Sequence, residues 1–340
     1  MKKITIVGIT GYSGLELFRL LSFHAEAEVV AVCATSHIGE KLADAVPQFE
    51  GLTELVISEF DVDLAMKNSD VVFFATSSGV SLKLALPLIE AGFPVIDLSG
   101  DFRLKNPDDY EKWYKNTAAE NVYLSKAKYN LADLTTATAT YIANPGCYAT
   151  ATLLALAPLV QENLIDLTSI IVDAKSGLSG AGKKLTESSH FVDVSDNMSM
   201  YKVNQHQHIP EIAQQLHDWN EDFEALQFTT SLIPVTRGIF ASSYVKLADS
   251  VTFDTVKNAY QKCYENKNFV RIRRQLPQIK DVVGTNFCDI GLVYNEKTNI
   301  LTIVSVIDNL MKGAAGQAVQ NFNQLFGFAE TTGLQFMPMI

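Results

Sequence analysis

The chain has 340 residues, 47% hydrophobic and 19% charged, which predicts a globular protein of two domains and excludes a disordered one. The formal net charge of -11 argues against a nucleic-acid surface and against a basic membrane anchor. The four cysteines are widely spaced and form no CxxC, which indicates reduced thiols and a cytoplasmic protein. The longest apolar run, 149–160, is too short to span a bilayer, so we expect no membrane partner.

The first half of the chain alternates short apolar runs with helical patterns. Strands are predicted over 4–9, 29–34, 69–75 and 92–98, and the helix after the first strand places Leu17, Leu20 and Leu21 on one face. Strands separated by helices are typical of βαβ units. This half is therefore predicted to be a parallel, Rossmann-type α/β domain.

After about residue 147 strand-like runs dominate. Five of them lie at 169–174, 228–234, 241–247, 287–294 and 300–306. Turn residues at 236–238 and 295–299 predict two antiparallel pairs, the second and third runs and the fourth and fifth. The fold class is therefore α/β, with an α+β second domain whose sheet is mixed and largely antiparallel. A last helix is predicted over 313–326.

Three glycines follow the first strand and open the first helix. Gly8, Gly11 and Gly14 form GxxGxxG, a turn that lets a pyrophosphate approach the positive end of the helix. A tight turn with no ligand is the alternative. NAD-specific folds place a carboxylate at the end of the second strand, whereas this chain has Thr35 and Ser36 there. NADP is therefore the favoured cofactor.

The segment around Cys147 carries the most chemical information. A strand over 138–143 ends in a turn with Pro145-Gly146, and Cys147 lies at the first turn of a helix that runs to about residue 161. Unpaired N–H groups and the helix dipole favour a thiolate at that position, and the same N–H groups can stabilise an oxyanion. A buried structural thiol is the alternative. The other three cysteines lie in strand or helix patterns and look like core residues.

Two histidines, His206 and His208, precede a predicted helix with Pro210 at its first position. In an extended segment, residues two apart project to one side, so both imidazoles are expected on one face. One can exchange protons and the other can stabilise negative charge. A metal pair and plain surface residues are the alternatives, although no cysteine or carboxylate cluster lies near them in the sequence, so no metal is expected.

Several segments can bind anions. The loop 175–184 combines glycines, hydroxyls and cations, a composition suited to phosphate, although a mobile loop is the alternative. Arg103 follows the fourth strand, on the ligand-binding side of such sheets, and Arg237 lies on a turn. Any single arginine can equally be a surface residue. Together with a cysteine, these groups suit a substrate that carries both carboxylate and phosphate.

With these motifs the chain resembles the N-acetyl-gamma-glutamyl-phosphate reductase family over nearly its whole length. The cysteine motif also suits the aspartate-semialdehyde dehydrogenases, whereas H-x-H-x-P-E and D-N-L-x-K-G-A-A-G favour the glutamyl-phosphate branch. The segments that carry the resemblance are GITGYSG at 8–14, LSGDFR at 98–103, ANPGCYAT at 143–150, SGLSGAGK at 176–183, HQHIPEI at 206–212, PVTRGI at 234–239 and DNLMKGAAGQA at 308–318.

The resemblance implies a role for each group. Cys147 would be the nucleophile, His208 the acid/base and His206 an oxyanion contact. We assign NADP to Gly8, Gly11, Tyr12, Ser13, Gly14, Ser36, Ser179, Gly180, Asn309, Lys312 and Gly313. We assign the substrate to Arg103, Asn144, Ser176, Lys183 and Arg237.

The resemblance also implies the domain organisation. Residues 1–146 would form the NADP-binding domain, completed by the C-terminal helix 313–340, and 147–312 the catalytic and oligomerisation domain of a homodimer or homotetramer. Two departures limit the transfer of roles. The family often has Arg near His37, and many members have Pro-His-Gly where this chain has Ser-Ser-Gly at 77–79.

The implied reaction is the NADPH-dependent reduction of N-acetyl-L-glutamyl 5-phosphate to the 5-semialdehyde, with release of phosphate, through a thioester on Cys147. Aspartate-semialdehyde dehydrogenase and aminoadipyl-phosphate reductase activities are alternatives. A non-catalytic NADP-binding redox sensor is a third, although a sensor would not need paired histidines or anion-binding arginines.

Overall fold

The computed structural model describes residues 1–339, with the backbone alone at Ser188. The chain divides into two compact units. Unit 1 comprises Met1–Pro145 and Ala314–Gln335, and unit 2 comprises Gly146–Gly313 and the chain from Phe336 onward. Each unit is built around its own seven-stranded sheet.

Fourteen strands lie within residues 1–339. They are β1 Lys2–Val7, β2 Ala27–Cys33, β3 Ile57–Ser58, β4 Val71–Phe74, β5 Val95–Asp97, β6 Ala127–Tyr129, β7 Tyr141–Ala143, β8 Ile171–Ser176, β9 Ser199–Tyr201, β10 Gln227–Leu232, β11 Ile239–Lys246, β12 Val270–Arg273, β13 Cys288–Asn295 and β14 Ile300–Ile307.

Twelve α-helices lie in the same part of the chain, and none of them combines the length and the apolar character that crossing a membrane requires. They are α1 Tyr12–Ser22, α2 Leu42–Ala45, α3 Val62–Asn68, α4 Ser81–Leu84, α5 Leu86–Glu90, α6 Pro107–Tyr114, α7 Asn121–Leu124, α8 Cys147–Gln161, α9 Phe191–Val194, α10 His208–Trp219, α11 Phe253–Tyr264 and α12 Gly316–Phe326.

The sheet of unit 1 has the order β3-β2-β1-β4-β5-β7-β6, and every neighbouring pair is parallel. β4 is buried at all four positions, as expected for a strand covered on both faces. The strand order reverses at β1, between β2 and β4, and such a reversal opens a crevice at the carboxyl ends of the strands. The prediction of a parallel, Rossmann-type domain is confirmed.

Helix α12 belongs to unit 1 although it lies near the end of the chain. It packs against α1, and the rings of Phe322 and Phe73 lie 5.9 Å apart. His24 and Asn323 share a buried hydrogen bond of 2.7 Å between Nε2 and Oδ1. A π-helical turn, Met311–Ala315, precedes α12, so regular α-helix begins at Gly316 and not at residue 313 as predicted.

The sheet of unit 2 has the order β12-β13-β14-β11-β8-β10-β9. Four of its pairs are antiparallel and two are parallel, which confirms the mixed, largely antiparallel sheet. The predicted pair β13 and β14 forms. The predicted pair β10 and β11 is wrong, because β8 lies between them, parallel to β10 and antiparallel to β11. The connection between β10 and β11 spans two strand spacings, about 10 Å in total, which a pattern of two apolar runs and a turn does not reveal.

Helix α8 is buried on all sides from Tyr148 to Val160 and packs on β11, β14, α10 and α11. Pro158 lies inside it and has no N–H to give to the carbonyl of Leu154. The Tyr264 hydroxyl donates to that carbonyl instead, at 2.5 Å. The helix begins at Cys147, which confirms the prediction that this cysteine lies at its first turn.

Candidate active site

The three glycines of the first turn differ in how strictly the space around them excludes a side chain. Gly8 has φ +93°, and a Cβ there would lie 2.4 Å from the carbonyl oxygen of Ala75. A Cβ on Gly14 would lie 2.2 Å from the carbonyl oxygen of Gly8, so α1 approaches β1 closely only without a side chain. Gly11 caps α1, and a Cβ there would meet the same oxygen at an ordinary 3.5 Å. Steric fit therefore leaves Gly11 to be explained by what the turn binds.

A cavity of about 460 Å³ opens at the carboxyl ends of β1, β2 and β4. This is the crevice in which parallel α/β sheets bind ligands. The main chain of the glycine turn forms one wall, as a bound pyrophosphate requires. The lining residues are Val7, Gly8, Thr10, Gly11, Ala34, Thr35, Ile38, Glu59, Phe60, Ala75, Thr76, Ser77, Val80 and Leu84.

The end of the cavity nearest β2 bears on cofactor choice. Thr35 and Ile38 line the cavity, whereas the predicted contact Ser36 is exposed beside them and is not among the lining residues. His37, in the left-handed region with φ +60°, pairs with Glu40 at 3.0 Å. The lining residues described include no Lys, Arg or His. A hydroxyl is thus the polar side chain that β2 presents to the cavity.

Asp101 organises another wall of the cavity. Its carboxylate is 1% exposed and accepts hydrogen bonds from the main-chain N–H of Gly79 at 2.7 Å, the Ser81 hydroxyl at 2.8 Å and the Tyr110 hydroxyl at 2.6 Å. The buried Asp97 lies in the same network, and its burial, with the nearby charge of Asp101, raises the pKa of Asp97. Asp101 therefore fixes the segment that follows β4. The sequence contained it in LSGDFR but offered no signal for this role.

Arg103 and Asn144, predicted to contact substrate, are both buried in unit 1. Arg103 donates through Nε to the carbonyl of Asn144 at 2.8 Å and through Nη2 to that of Leu98 at 2.7 Å. The Asn144 side chain donates to the carbonyl of Ala314 and accepts from Asn321. These bonds join the turn before Cys147 to the C-terminal part of unit 1, and the substrate role of both residues stays a prediction.

Cys147 is the first residue of α8 and is partly exposed. Gly146 caps the helix with φ −75° and ψ 157° and makes no side-chain cap. The main-chain N–H of Gly146 donates to the carboxylate of Glu211 at 2.7 Å. A Cβ on Gly313 would lie 2.7 Å from the Cβ of Cys147, so the turn before α12 packs directly on the cysteine.

The two histidines meet, but not in the predicted way. Gln207 has helical dihedral angles and α10 begins at His208, so the pair is not extended and Pro210 is the third helical residue, not the first. The two ring centroids lie 4.7 Å apart. The prediction of an extended segment was wrong because it placed Pro210 at the first helical position, where proline is most common, whereas the helix begins two residues earlier. Proline is tolerated throughout a first turn, where N–H groups have no partner within the helix.

His206 is a neutral hydrogen-bond donor. Its Nδ1 accepts the main-chain N–H of His208 at 3.1 Å, which leaves the ring proton on Nε2. Burial, followed by the nearby charges of His208 and Lys202, lowers the pKa of His206 to about 2. The ring therefore remains uncharged across the physiological range and can donate from Nε2.

Two tyrosines that sequence reasoning missed surround this pair. The hydroxyls of Tyr148 and Tyr201 lie 2.9 Å apart. The Tyr148 ring packs edge-on against His206 at 5.1 Å, and Tyr201 packs against the same ring at 5.9 Å. Burial raises the pKa of both phenols, that of Tyr201 to about 12, so both keep their protons. The position of Tyr148, next to Cys147 in a helix, was the signal available in the sequence.

The glycine loop after β8 is held by Asn309. The Asn309 side chain donates to the Ser179 hydroxyl at 3.0 Å and accepts from the main-chain N–H of Gly238 at 2.8 Å. Ser176 is buried and donates to the carbonyl of Gly177, and a Cβ on Gly180 would lie 2.6 Å from the Ser176 hydroxyl. The predicted cofactor and substrate residues Ser176, Ser179, Gly180 and Asn309 thus lie close together within unit 2.

The remaining cations of unit 2 differ in accessibility. Arg237 keeps 23% of its side chain exposed and lies 3.4 Å from the buried carboxylate of Asp308. Lys183 is exposed. Lys312 is fully buried, with its ammonium 5.6 Å from the centre of the Phe269 ring, so this side chain packs inside the unit. The cofactor role assigned to Lys312 stays a prediction.

Two family models match the chain. Residues 3–166 match the NAD binding domain of the semialdehyde dehydrogenases, and residues 147–309 match their dimerisation domain.

Full-length relatives are highly similar. The chain is 68% identical, over all of both chains, to an N-acetyl-gamma-glutamyl-phosphate reductase of Lactococcus lactis subsp. lactis (strain IL1403). It is 54% identical to a protein of the same name from Listeria innocua serovar 6a, with 99% of each chain covered.

Solved structures share the fold at low identity. Aspartate semialdehyde dehydrogenase II of Vibrio cholerae, complexed with ASA, aligns with a TM-score of 0.71 at 17% identity, covering 96% of this chain and 98% of the other. The aspartate semialdehyde dehydrogenase of Candida albicans, solved with NADP, aligns with a TM-score of 0.69 at 18% identity, covering 98% and 99%.

Proposed function

The chain belongs to the semialdehyde dehydrogenase family, and from that premise we propose that it reduces N-acetyl-L-glutamyl 5-phosphate to N-acetyl-L-glutamate 5-semialdehyde, with NADPH, in arginine biosynthesis. The observation that carries the proposal is the arrangement in unit 2. Cys147 begins a buried helix, and two histidines lie in contact at the start of α10, which packs against that helix. The 68% identity to a full-length relative of that name supports the choice of substrate.

Cys147 is the nucleophile. The N-terminal position in α8 favours the thiolate through the helix dipole and the unpaired N–H groups of the first turn. The sulfur attacks the acyl carbon of the substrate, the bond from that carbon to the phosphate oxygen breaks, and phosphate leaves with the electron pair. The product is a thioester, which accepts a hydride far more readily than a carboxylate does.

The histidines share the remaining work. His206, neutral and with its proton on Nε2, donates to the negative oxygen that develops on the acyl carbon. His208 transfers the proton when the hemithioacetal collapses to the aldehyde and releases the Cys147 sulfur. The first-turn N–H groups of α8 add donors for the same oxygen.

NADPH fits the cavity of unit 1. Gly8 and Gly11 present main chain to a pyrophosphate at the start of α1, and Thr35 offers a hydroxyl where the adenosine ribose lies in such folds. When bound, NADPH supplies the hydride that reduces the thioester. The absence of a carboxylate at the end of β2 favours the 2′-phosphate.

Lys183 and Arg237 are our candidates for the carboxylate and phosphate of the substrate, because both are cationic and at least partly exposed in unit 2. We keep Ser176, Arg103 and Asn144 as supporting residues of the substrate site. Arg103 and Asn144 hold the main chain of the turn before Cys147, and Ser176 bonds to the main chain of the glycine loop.

We also propose that the protein works in the cytoplasm as a homodimer or homotetramer. The four cysteines are free thiols, which suits a reducing compartment. Large apolar side chains are exposed in the segment that leads into the edge strand β9 of unit 2 and in that strand, and exposed apolar side chains suit contact with a second copy. They are Leu185, Phe191, Val192, Met198 and Met200.

The proposal is tested by running the reaction in reverse. Purified protein is given NADP, phosphate and one of three semialdehydes, those of N-acetylglutamate, aspartate and aminoadipate, and NADPH formation is followed. We expect phosphate-dependent reduction of NADP with the semialdehyde of N-acetylglutamate. The kcat/KM with the other two semialdehydes should be lower by at least about 10²-fold. A preference for either of the others would reassign the substrate, and no NADPH with any of them would favour the redox sensor.

A second measurement isolates the covalent step. Acyl phosphate without NADPH should release one phosphate per active site and leave an acyl group on Cys147, detected by mass spectrometry. The matched control is Cys147→Ala, which should release none. If the enzyme instead transferred hydride directly to the acyl phosphate, neither the wild type nor Cys147→Ala would form an acyl adduct.

A further inference from the structure

We propose that Glu211 is a positioning residue for this reaction, which holds Cys147 in reach of His208 through the main-chain N–H of Gly146. The inference rests on the proposed function, because it assigns Glu211 its role relative to that nucleophile and that acid/base.

The first observation is a short, buried hydrogen bond. Glu211 is 0% exposed, and its Oε1 accepts the Gly146 N–H at 2.7 Å, a length typical of bonds to a charged acceptor. Gly146 is the N-cap of α8, and its own carbonyl accepts the N–H of Thr150 at 2.8 Å. Both polar groups of the residue before Cys147 are therefore engaged.

The second observation is where Glu211 lies. It is the fourth residue of α10 and falls three residues after His208, so the two share one face of the helix. His206 is tied to the same turn by its bond to the His208 N–H. The bond from Glu211 to Gly146 thus joins the helix start that carries the histidines to the helix start that carries the nucleophile.

The third observation concerns the other side of Cys147. The main chain at Gly313 packs so closely on the cysteine that an added Cβ would lie 2.7 Å from its Cβ and 3.2 Å from its Cα. Cys147 is therefore held between close-packed main chain and an N-cap anchored by Glu211. Proton transfer and nucleophilic attack need this placement, since a shift of about 1 Å can cost about 10²-fold in rate.

A positioning role predicts that the length of the side chain matters more than its charge. Glu211→Gln keeps an acceptor oxygen at the same distance and should keep kcat within about tenfold of wild type. Glu211→Asp keeps the charge but withdraws the acceptor by one methylene, and Glu211→Met removes the acceptor. Both should lower kcat by about 10²-fold while KM changes by less than about threefold.

The matched control is Ser305→Ala. The Ser305 hydroxyl is 0% exposed and donates to the carbonyl of Ala151 at 2.9 Å, so the substitution also removes a buried bond to α8, but away from its first turn. The thermal midpoint of each variant measures its effect on the fold. Ser305→Ala should lower that midpoint and leave kcat unchanged.

A readout that needs no turnover is the alkylation of Cys147 by iodoacetamide as a function of pH, followed at this cysteine by mass spectrometry. The first turn of α8 stabilises the thiolate, so a displaced N-cap should shift the midpoint of the profile to higher pH. Glu211→Asp is the informative variant, because its charge equals that of the wild type and an upward shift then reports geometry. Glu211→Gln and Ser305→Ala should show no upward shift.

The proposal is wrong if Glu211→Asp and Glu211→Met keep kcat within about threefold of Ser305→Ala, or if Glu211→Gln is as slow as Glu211→Met. If Glu211→Met does not fold, the kcat values of Glu211→Asp and Glu211→Gln decide. A lower kcat in Glu211→Asp than in Glu211→Gln supports the proposal, and equal kcat values overturn it. If the wild type turns over none of the semialdehydes, the proposed function fails. The alkylation profile of Glu211→Asp still tests the anchor in that case.

Discussion

Helices α1 and α8 begin in nearly the same way. Each follows a parallel strand of unit 1 in the sequence, and each has a glycine N-cap with extended dihedral angles, φ −81° and ψ 160° at Gly11 and φ −75° and ψ 157° at Gly146. Neither cap residue offers a side chain to the first N–H groups. The local conformation therefore does not distinguish the two sites.

The surroundings distinguish them. The start of α1 faces a cavity of about 460 Å³, so its N–H groups are available to an anion that comes from solution. At the start of α8 the helix itself carries the group that gains from the dipole, Cys147. The cap residue Gly146 is anchored by Glu211, and the main chain at Gly313 packs on Cys147. One helix start can serve ligand binding or covalent catalysis, and the packing around it determines which.

The largest effect is expected from Cys147 itself. Cys147→Ala should lose activity about 10⁴-fold or more, and Cys147→Ser nearly as much, because a hydroxyl is a far weaker nucleophile at neutral pH. Titration with NADPH should show unchanged binding, because the cofactor cavity lies in unit 1. Near-wild-type turnover in Cys147→Ala would show that the start of α8 does not serve covalent catalysis, and the contrast with the start of α1 would then be wrong.

Next comes the proton transfer at the start of α10. His208→Asn should lower kcat by about 10²- to 10³-fold with little change in KM, because the role we propose for the ring lies in the transition state and not in binding. Steady-state rates from pH 6 to 9 measure this. Full kcat across that range would show that another group carries the proton.

A third change sharpens the assignment at the end of β2. Thr35 lines the cavity and Ser36 does not, so Thr35→Asp should lower kcat/KM for NADPH by about 10²-fold through repulsion of the 2′-phosphate, and Ser36→Asp should lower it less. Activity with NADH is the control and should change little. Equal kcat/KM for the two cofactors in the wild type would contradict the choice of NADP.

The glycines of the first turn should separate binding from folding. Gly11→Ala has space, with 3.5 Å to the nearest carbonyl oxygen, and should raise the KM for NADPH about tenfold without a loss of stability. Gly14→Ala, at 2.2 Å from the Gly8 carbonyl oxygen, should lower the free energy of unfolding by about 1–3 kcal/mol. Urea unfolding and cofactor titration of both variants check this, and the opposite pattern would mean that Gly11 is the structural residue.

The smallest effect concerns pH and stability. Because the pKa of His206 is lowered to about 2, the folded protein excludes a proton that the unfolded chain binds below about pH 6.5. This residue's contribution to stability is therefore lost as pH falls, by about 1.4 kcal/mol per pH unit. We compare the slope of the unfolding free energy against pH, between pH 6 and 5, in His206→Gln and in the wild type. The variant should have the smaller slope, and the difference should correspond to about one bound proton. An unchanged slope would show that the ring is charged in the folded state.

The sequence by itself determined the features that depend on local physics. Alternating apolar runs and helices specified the parallel sheet of unit 1, because βαβ units bury both faces of each strand. The spacing of Gly8, Gly11 and Gly14 specified a turn that admits no side chain at two of its positions. Pro145-Gly146 before an apolar run specified a helix with Cys147 at its first turn, since these residues end the strand and the first N–H groups of a helix have no partner within it.

Only the tertiary structure decided which elements meet. The insertion of β8 between β10 and β11 depends on pairing between segments more than 50 residues apart, and the apolar pattern is the same with or without it. The roles of Asp101 and Glu211 are bonds from buried carboxylates to main-chain N–H groups 22 and 65 residues away. A main-chain N–H is present at every residue except proline, so the sequence does not indicate which N–H group a buried carboxylate will bind. Tertiary packing alone selects that group.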